Sequence, residues 1–400
     1  MDVLNPSRSG PAKISRAMGR LSLCKAAGRT LGVGVLSLTV AAFGGGIQAS
    51  ATTNSRAVTS GIVKAAKAAV AAHSGVITTW TGPTSGPKLS PGKTIAYVSC
   101  GSFNSICVEI GHDLTTIGKS IGWHVKIFNG QGTTSGWLSA FDDAVALHPA
   151  GIILGAITPS SVPAPMAKAR SLGIPVVGAL AASYPGPNQM GLFYNASEAP
   201  AAIGKLEADW AIAESNGTAR VILMYDDTYA IARAKNAEYV ATLRECKTCT
   251  ILKDVETPFA DLGTNGSSLV DSWLSKWGTK PIYLISVGDV AFPDLIPTLE
   301  ARHVPKNMFL GIGADGEPSA YQYIRGGNYQ VATVPQPDQE LSYECLDELN
   351  RAFHHQPAAV FNPPPYLVTK ADINIQGGAK NEYDPANGYA AHYMKIWGIR

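Results

Sequence analysis

The sequence predicts an α/β protein built as two doubly wound parallel-sheet lobes joined by a hinge. Three observations carry that prediction. Short apolar runs of strand type alternate with segments of helical period from Lys93 to Val334, the pattern of βα units that stack into parallel sheets with helices on both faces. The alternation pauses once, at SYPGPNQMGLFYNAS (183–197), and then resumes. It ends at VATVPQPDQ (331–339), where a strand runs into Pro335-Gln336-Pro337. Proline donates nothing to a sheet ladder, so the strand stops there.

The elements follow in order. Residues 1–51 carry Arg8, Lys13, Arg16, Arg20, Lys25 and Arg29, then the apolar run LGVGVLSLTVAAF (31–43), then Ala49-Ser50-Ala51. Basic region, apolar region and small-residue cleavage site make a secretory signal, with Met1 or Met18 as its start. The apolar run is short for a span of ~20 residues. Residues 52–90 read as a tether, with an Ala/Lys helix over 57–72 and then turn formers. The first lobe, 91–194, opens on the strand Lys93–Ser99, and Ile106, Ile110, Leu114, Ile117 and Ile121 repeat at helical spacing. Then come strand His124–Phe128, helix Trp137–Ala146, strand Gly151–Leu154, helix Val162–Leu172 and strand Pro175–Val177.

The second lobe, 195–334, repeats the scheme. Its helices are expected over 198–214, 230–244, 267–277, 292–301 and 317–326. Its strands are expected over 219–224, 250–255, 281–285, 308–311 and 329–334. A helix over 339–353 and an extended stretch, 361–373, follow. They are expected to return to the first lobe, which then comprises 91–194 and 335–373, with 374–400 as a tail. Two or three crossings near 194–195, 334–336 and 361–373 make a hinge, and a cleft between lobes at the carboxyl ends of strands is a ligand site.

Bulk properties narrow the function. Without residues 1–51, 26 basic and 29 acidic residues remain, so no basic face for nucleic acid is expected. Cys100 and Cys107 flank a short loop, and Cys246-Lys-Thr-Cys249 is a CxxC. In an exported chain two local disulfides are the natural reading, with Cys345 left over. The CxxC follows an expected helix instead of opening one, which speaks for a staple over a redox centre. No HExxH, Walker loop or G-x-S-x-G elbow is present, and Gly311-Ile-Gly-Ala-Asp-Gly316 is a lone GxGxxG without the acidic strand end a dinucleotide site needs. Asp226-Asp227 has no nucleophile spaced to use it. No catalytic, cofactor or metal site is expected.

Several local stretches, in order, resemble one family: Gly101-Ser-Phe-Asn104 after the first strand, Ile174-Pro-Val-Val177, Gly313-Ala-Asp-Gly316, and Ala332-Thr-Val-Pro-Gln336 followed by Pro337-Asp-Gln339. Together they are similar to the ribose-type (type I) periplasmic binding proteins, the substrate-binding subunits of ABC importers, over roughly 93–373. The resemblance implies a monomeric, exported, non-enzymatic receptor that captures a small molecule, a sugar or a more apolar or aromatic compound, and hands it to an ABC permease. It implies ligand contacts from Phe103 and Asn104, from Arg233 or Lys235, and from Phe259, Asp289 (or Gly288), Asp315 and Gln336. The pattern departs from sugar-binding members at Leu180-Ala-Ala-Ser183, where they carry a charged pair, which points to a less polar wall with Tyr184, Tyr194, Tyr229 and Phe292 near strand ends. A ligand sensor signalling to a membrane partner, and a secreted enzyme, are the alternative readings.

Overall fold

The structure, a computed structural model, describes residues 60–187 and 190–399; the expected export signal over 1–51 lies outside them. Two six-stranded sheets form. The first comprises β1 (Thr94–Ser99), β2 (His124–Asn129), β3 (Gly151–Gly155), β4 (Val176–Ala179), β5 (Gly186–Pro187) and β6 (Tyr194–Ala196), in the order β2-β1-β3-β4-β6-β5. All pairings are parallel except the short edge pair β5–β6. Ile95–Val98 and Ile152–Leu154 are fully buried, as strands covered on both faces must be. The covering helices are α2 (Ser105–Ser120), α3 (Thr134–Ala146) and α4 (Pro163–Ser171).

The second sheet comprises β7 (Arg220–Tyr225), β8 (Thr250–Glu256), β9 (Ile282–Ser286), β10 (Phe309–Asp315), β11 (Gln330–Pro335) and β12 (Val368–Thr369), in the order β12-β11-β10-β9-β7-β8. Around it lie α5 (Pro200–Glu214), α6 (Ala230–Glu245), α7 (Leu262–Trp277), α8 (Phe292–Ala301) and α9 (Pro318–Gly326). Both disulfides form, Cys100–Cys107 and Cys246–Cys249, and Cys345 is free and buried.

The flanking segments depart from expectation. The helix over 60–72, α1, is no free tether: Ala66 is fully buried in the second lobe's core. The stretch 335–373 does not return whole to the first lobe. Its helix α10 (Asp338–Phe353) does, burying Leu341, Cys345, Leu346 and Leu349. The extended part turns back, and Val368–Thr369 pairs antiparallel with β11 of the second sheet. Alternating Tyr366 and Val368 bury inward beside Tyr321 and Ile324, so the apolar face of that strand selects the second lobe. The tail is also structured: α11 (Tyr389–Trp397) sets Tyr389, Tyr393 and Trp397 into the first lobe's core. The crossing after β6 falls at 197–199, past the expected 194–195, and the crossing after β11 falls at Gln336–Pro337, beside the expected 334–336.

Flanks and lobes are tied by specific bonds. Leu89 N donates to Trp397 O (3.1 Å), Ile77 N to Gln376 Oε1 (2.9 Å), and Arg351 Nη2 to Ser85 O (2.6 Å). Trp80 stacks on His392 with ring centroids 5.2 Å apart and packs against Phe361 and Tyr393. Among the described residues the chain passes between lobes five times: at 77–80, 197–199, 336–337, 361–366 and 383–389.

Candidate ligand-binding cleft

Parallel strands point their carboxyl ends the same way, so the loops that follow them collect at one end of each sheet. Here the two collections face each other. Phe103, Asn104 and Ile106 follow β1, Ala156 follows β3 and Leu180 follows β4; from the other lobe come Tyr229, Ile231, Ala232 and Lys235 after β7, Phe259 after β8, Val287 after β9 and Asp315 ending β10. They enclose a cavity of about 40 Å³. That holds little more than one water at ~30 Å³, against ~300 Å³ or more for a small-molecule pocket. The lobes therefore leave no room for a solute between them.

Contacts across the cleft hold it shut. Ala230 N donates to Thr158 Oγ1 (3.0 Å), giving the first N–H of α6 a partner in the opposite lobe. The ring of Tyr229 lies 5.7 Å from that of Trp137, and Tyr229 and Ile231 pack against the first lobe's core. Burial drives the Tyr229 phenol well above its ordinary pKa, so it is a neutral hydroxyl.

The polar floor belongs to the second lobe. Lys235 is 1% exposed; its Nζ donates to Val287 O (2.9 Å) and pairs with Asp315 Oδ1 (3.0 Å). A buried ammonium needs both partners, because desolvating an isolated charge costs several kcal/mol. Asp315 has φ +92°, and Ala156 and Leu180 have φ +54° and +60°. Three non-glycine cleft residues thus sit in left-handed backbone that costs ~1–2 kcal/mol each, an expense typical of functional sites. Asp315 is fixed from behind, where its carbonyl accepts from Gln336 N (3.1 Å).

Of the eight residues expected to meet a ligand, five line this cavity: Phe103, Asn104, Lys235, Phe259 and Asp315. Three do not. Asp289 is fully buried behind the wall, and its carboxylate accepts from Gly316 N, Glu317 N, Gln330 Nε2 and Thr333 Oγ1. It braces the turn after Asp315; burial pushes its pKa up to about 7 against the pull of those donors. Arg233 lies two positions from Lys235, which on a helix is nearly the opposite face; it is exposed and donates back to Asp227 O. Gln336 is 1% exposed on the crossing strand, its amide has no partner among the described residues, and it lies outside the cavity wall. Of the aromatics, Tyr229 lines the cavity, Tyr184 is exposed, Phe292 is core, and Tyr194 donates to Phe361 O.

Neighbouring motifs find structural roles. A side chain at Gly311, Gly313 or Gly316 would collide with Phe292, Asp289 or Pro335 respectively, so packing accounts for the GxGxxG. Asp226 accepts from Phe259 N (3.0 Å) and Thr228 N (2.9 Å) and shapes the loop carrying Phe259. The Cys100–Cys107 bridge closes the loop carrying Phe103 and Asn104, and Asn104 Oδ1 caps α2 through Ile106 N (3.1 Å). Behind the floor, Glu198 at the first crossing is fully buried, and burial raises its pKa despite the nearby Lys235 ammonium. Position 198 read as the start of a helix; a buried crossing carboxyl left no periodic signal. Among the described residues no group of three or more His, Cys, Asp or Glu is set to hold a metal, and no helix is long and apolar enough to cross a membrane.

Comparison with known proteins agrees with this geometry. No curated protein matches the sequence. Among solved structures, an ABC transporter solute-binding protein from Agrobacterium vitis with bound allitol is similar at TM-score 0.62 and 16% identity, covering 72% of this chain and 97% of its own. Another from the same organism, bound with α-D-tagatopyranose, gives 0.64 at 11% identity, covering 73% and 99%. The periplasmic binding protein component of the arabinose ABC transporter from Shewanella sp. ANA-3 gives 0.61 at 15%, covering 76% and 95%. These likenesses carry the fold. The family model described as periplasmic binding protein domain matches residues 95–356, the stretch that supplies both sheets up to β11 and every wall of the cleft. With well over half its length inside that match, the chain belongs to the periplasmic binding protein domain family, whose members bind and do not catalyse.

Proposed function

We propose that the protein is an exported solute receptor that closes its two lobes on a small neutral molecule of the sugar or polyol kind, or a more apolar relative of it, and presents the closed form to an ABC permease. One observation carries the reading: a cavity walled by strand-end loops of both lobes, with a buried Lys235–Asp315 pair as its floor. Such a site binds by enclosure. Aromatic rings (Phe103, Tyr229, Phe259) cover apolar ring faces, and the ion pair reads hydroxyls. The solved relatives crystallised with allitol and tagatopyranose support the sugar and polyol class. Opening is a hinge rotation about 197–199 and 336–337, the short crossings.

A thermal-shift screen against sugars, polyols and neutral ring compounds tests it. A ligand at 100 times its Kd raises stability by ~2.7 kcal/mol. The expected result is a hit whose shift disappears in Asp315→Ala while the variant stays folded. No hit in any class would sink the receptor reading.

A further inference from the structure

We propose that the solute of this cleft is polar along one edge only: a neutral ring carrying a vicinal hydroxyl pair on the side of Lys235 and Asp315, and bare hydrocarbon on the side of the first lobe. This rests on the receptor reading above and names its ligand class.

The two walls differ in what they can offer. The first-lobe wall consists of Phe103, Asn104, Ile106, Ala156 and Leu180. Its one polar side chain, Asn104, has its oxygen committed to the cap of α2. The backbone donors of the turns after β3 and β4 are committed too. Ala156 N bonds Ala179 O (2.8 Å), Leu180 N bonds Ala196 O (2.9 Å), and Ala181 N bonds Asn195 Oδ1 (2.9 Å). The left-handed backbone at Ala156 and Leu180 is part of the same turns. A hydroxyl facing the side chains of this wall loses water and finds no side-chain partner beyond Asn104 Nδ2. A buried hydroxyl without a partner forfeits roughly tenfold or more in affinity.

The opposite wall keeps open valences. Two of the three Lys235 donors are committed, to Val287 O and Asp315 Oδ1, which leaves one. Asp315 Oδ2 has no partner among the described residues. One N–H and one carboxylate oxygen side by side suit a hydroxyl that accepts from the first and donates to the second, with its neighbour shared between them. The pair is neutral overall and its ammonium is already matched by Asp315, so a carboxylate ligand finds no free counter-charge there, and the solute is uncharged.

The test uses the full chain and matched probes: cis-1,2-cyclohexanediol and catechol, polar on one edge, against myo-inositol, hydroxylated all round. Calorimetry and thermal shift should show the diols binding at least tenfold tighter than inositol. Leu180→Asn places an amide on the bare wall and should narrow or invert that ratio, in a variant that leaves the ion pair intact. Tighter binding of inositol to the unaltered protein, or a ratio indifferent to Leu180→Asn, would overturn the inference and leave the receptor reading standing. If neither probe class nor the wider panel binds, the receptor reading falls and this inference falls with it.

Discussion

Asp315 is the most constrained residue of the cleft. It holds φ +92°, its carbonyl is bonded by the crossing strand, and its carboxylate pairs with a lysine that has almost no access to water. Its support is the carboxylate of Asp289, which fills the space a side chain at Gly313 would need. Gly313→Ala should therefore destabilise the protein by about 1–3 kcal/mol through overpacking and weaken ligand binding along with it. Denaturant unfolding and titration of the same variant measure both, and an unchanged midpoint would show that Asp289 can move freely. This scale also shows where sequence reading stops. Phe103, Asn104, Lys235, Phe259 and Asp315, which the family resemblance points to, all line the cleft cavity. Asp289 follows a strand end equally well, yet its carboxylate points into four donors of its own lobe. A buried brace and a cavity-lining residue have the same residue type at the same register, and only the partners tell them apart. Arg233 and Lys235 were separable by helical phase alone, once the phase of α6 was known.

At the scale of elements, two features carry predictions. The Cys100–Cys107 bridge closes the loop that presents Phe103 and Asn104. Replacing both cysteines with serine should leave the sheets folded and lower ligand affinity severalfold, since a looser loop must be ordered on binding. Equal affinity in the double variant would mean that packing alone fixes the loop. The second feature is α10, which buries five acidic residues, Asp338, Glu340, Glu344, Asp347 and Glu348. Burial pushes Glu340 up to about 7 and Glu348 up to about 8, although Asn387 and the Ala359 N–H hydrogen-bond them. In the unfolded chain both return to about 4.3. The folded state thus holds protons that the unfolded state releases. Their contribution is full below about pH 4 and is lost as pH rises through 7 and 8. Thermal stability should fall between pH 5 and pH 8.5, and Glu340→Gln with Glu348→Gln should flatten that slope; an unaltered slope would assign the dependence elsewhere. The βα alternation that built these elements was legible because buried strands and amphipathic helices have different periods. The two-residue strands β5 and β12 were not, because two residues have no period.

At the scale of the molecule, the segments flanking the family match, 60–94 and 357–399, embrace the hinge. Five crossings replace the two or three expected, and Trp80, wedged among Phe361, His392 and Tyr393, joins the two flanks. Lobes so tied should part less readily than lobes joined at 197–199 and 336–337 alone. Trp80→Ala should cost roughly 3 kcal/mol of stability, the low end for a large aromatic, and should speed ligand release by easing the opening. Stopped-flow dissociation checks the second effect, and an unchanged rate would show that the flanks only decorate the hinge. The turn-rich composition of 73–90 and 374–388 hid this, since nothing in a polar, proline-rich stretch announces a partner far along the chain.

The bond from Leu89 N to Trp397 O has a further consequence. The first lobe's sheet begins with β1 and its core is sealed by α11, so that core joins segments about 300 residues apart in the described chain. Contacts between such distant segments close slowly, because most of the loop entropy is spent before they reward it. A nascent chain leaving the ribosome would have its second lobe's strands β7 to β10 in hand while the first lobe still waited for its final helix. The lobe whose sheet is synthesised first is thus completed last, once α11 has been made.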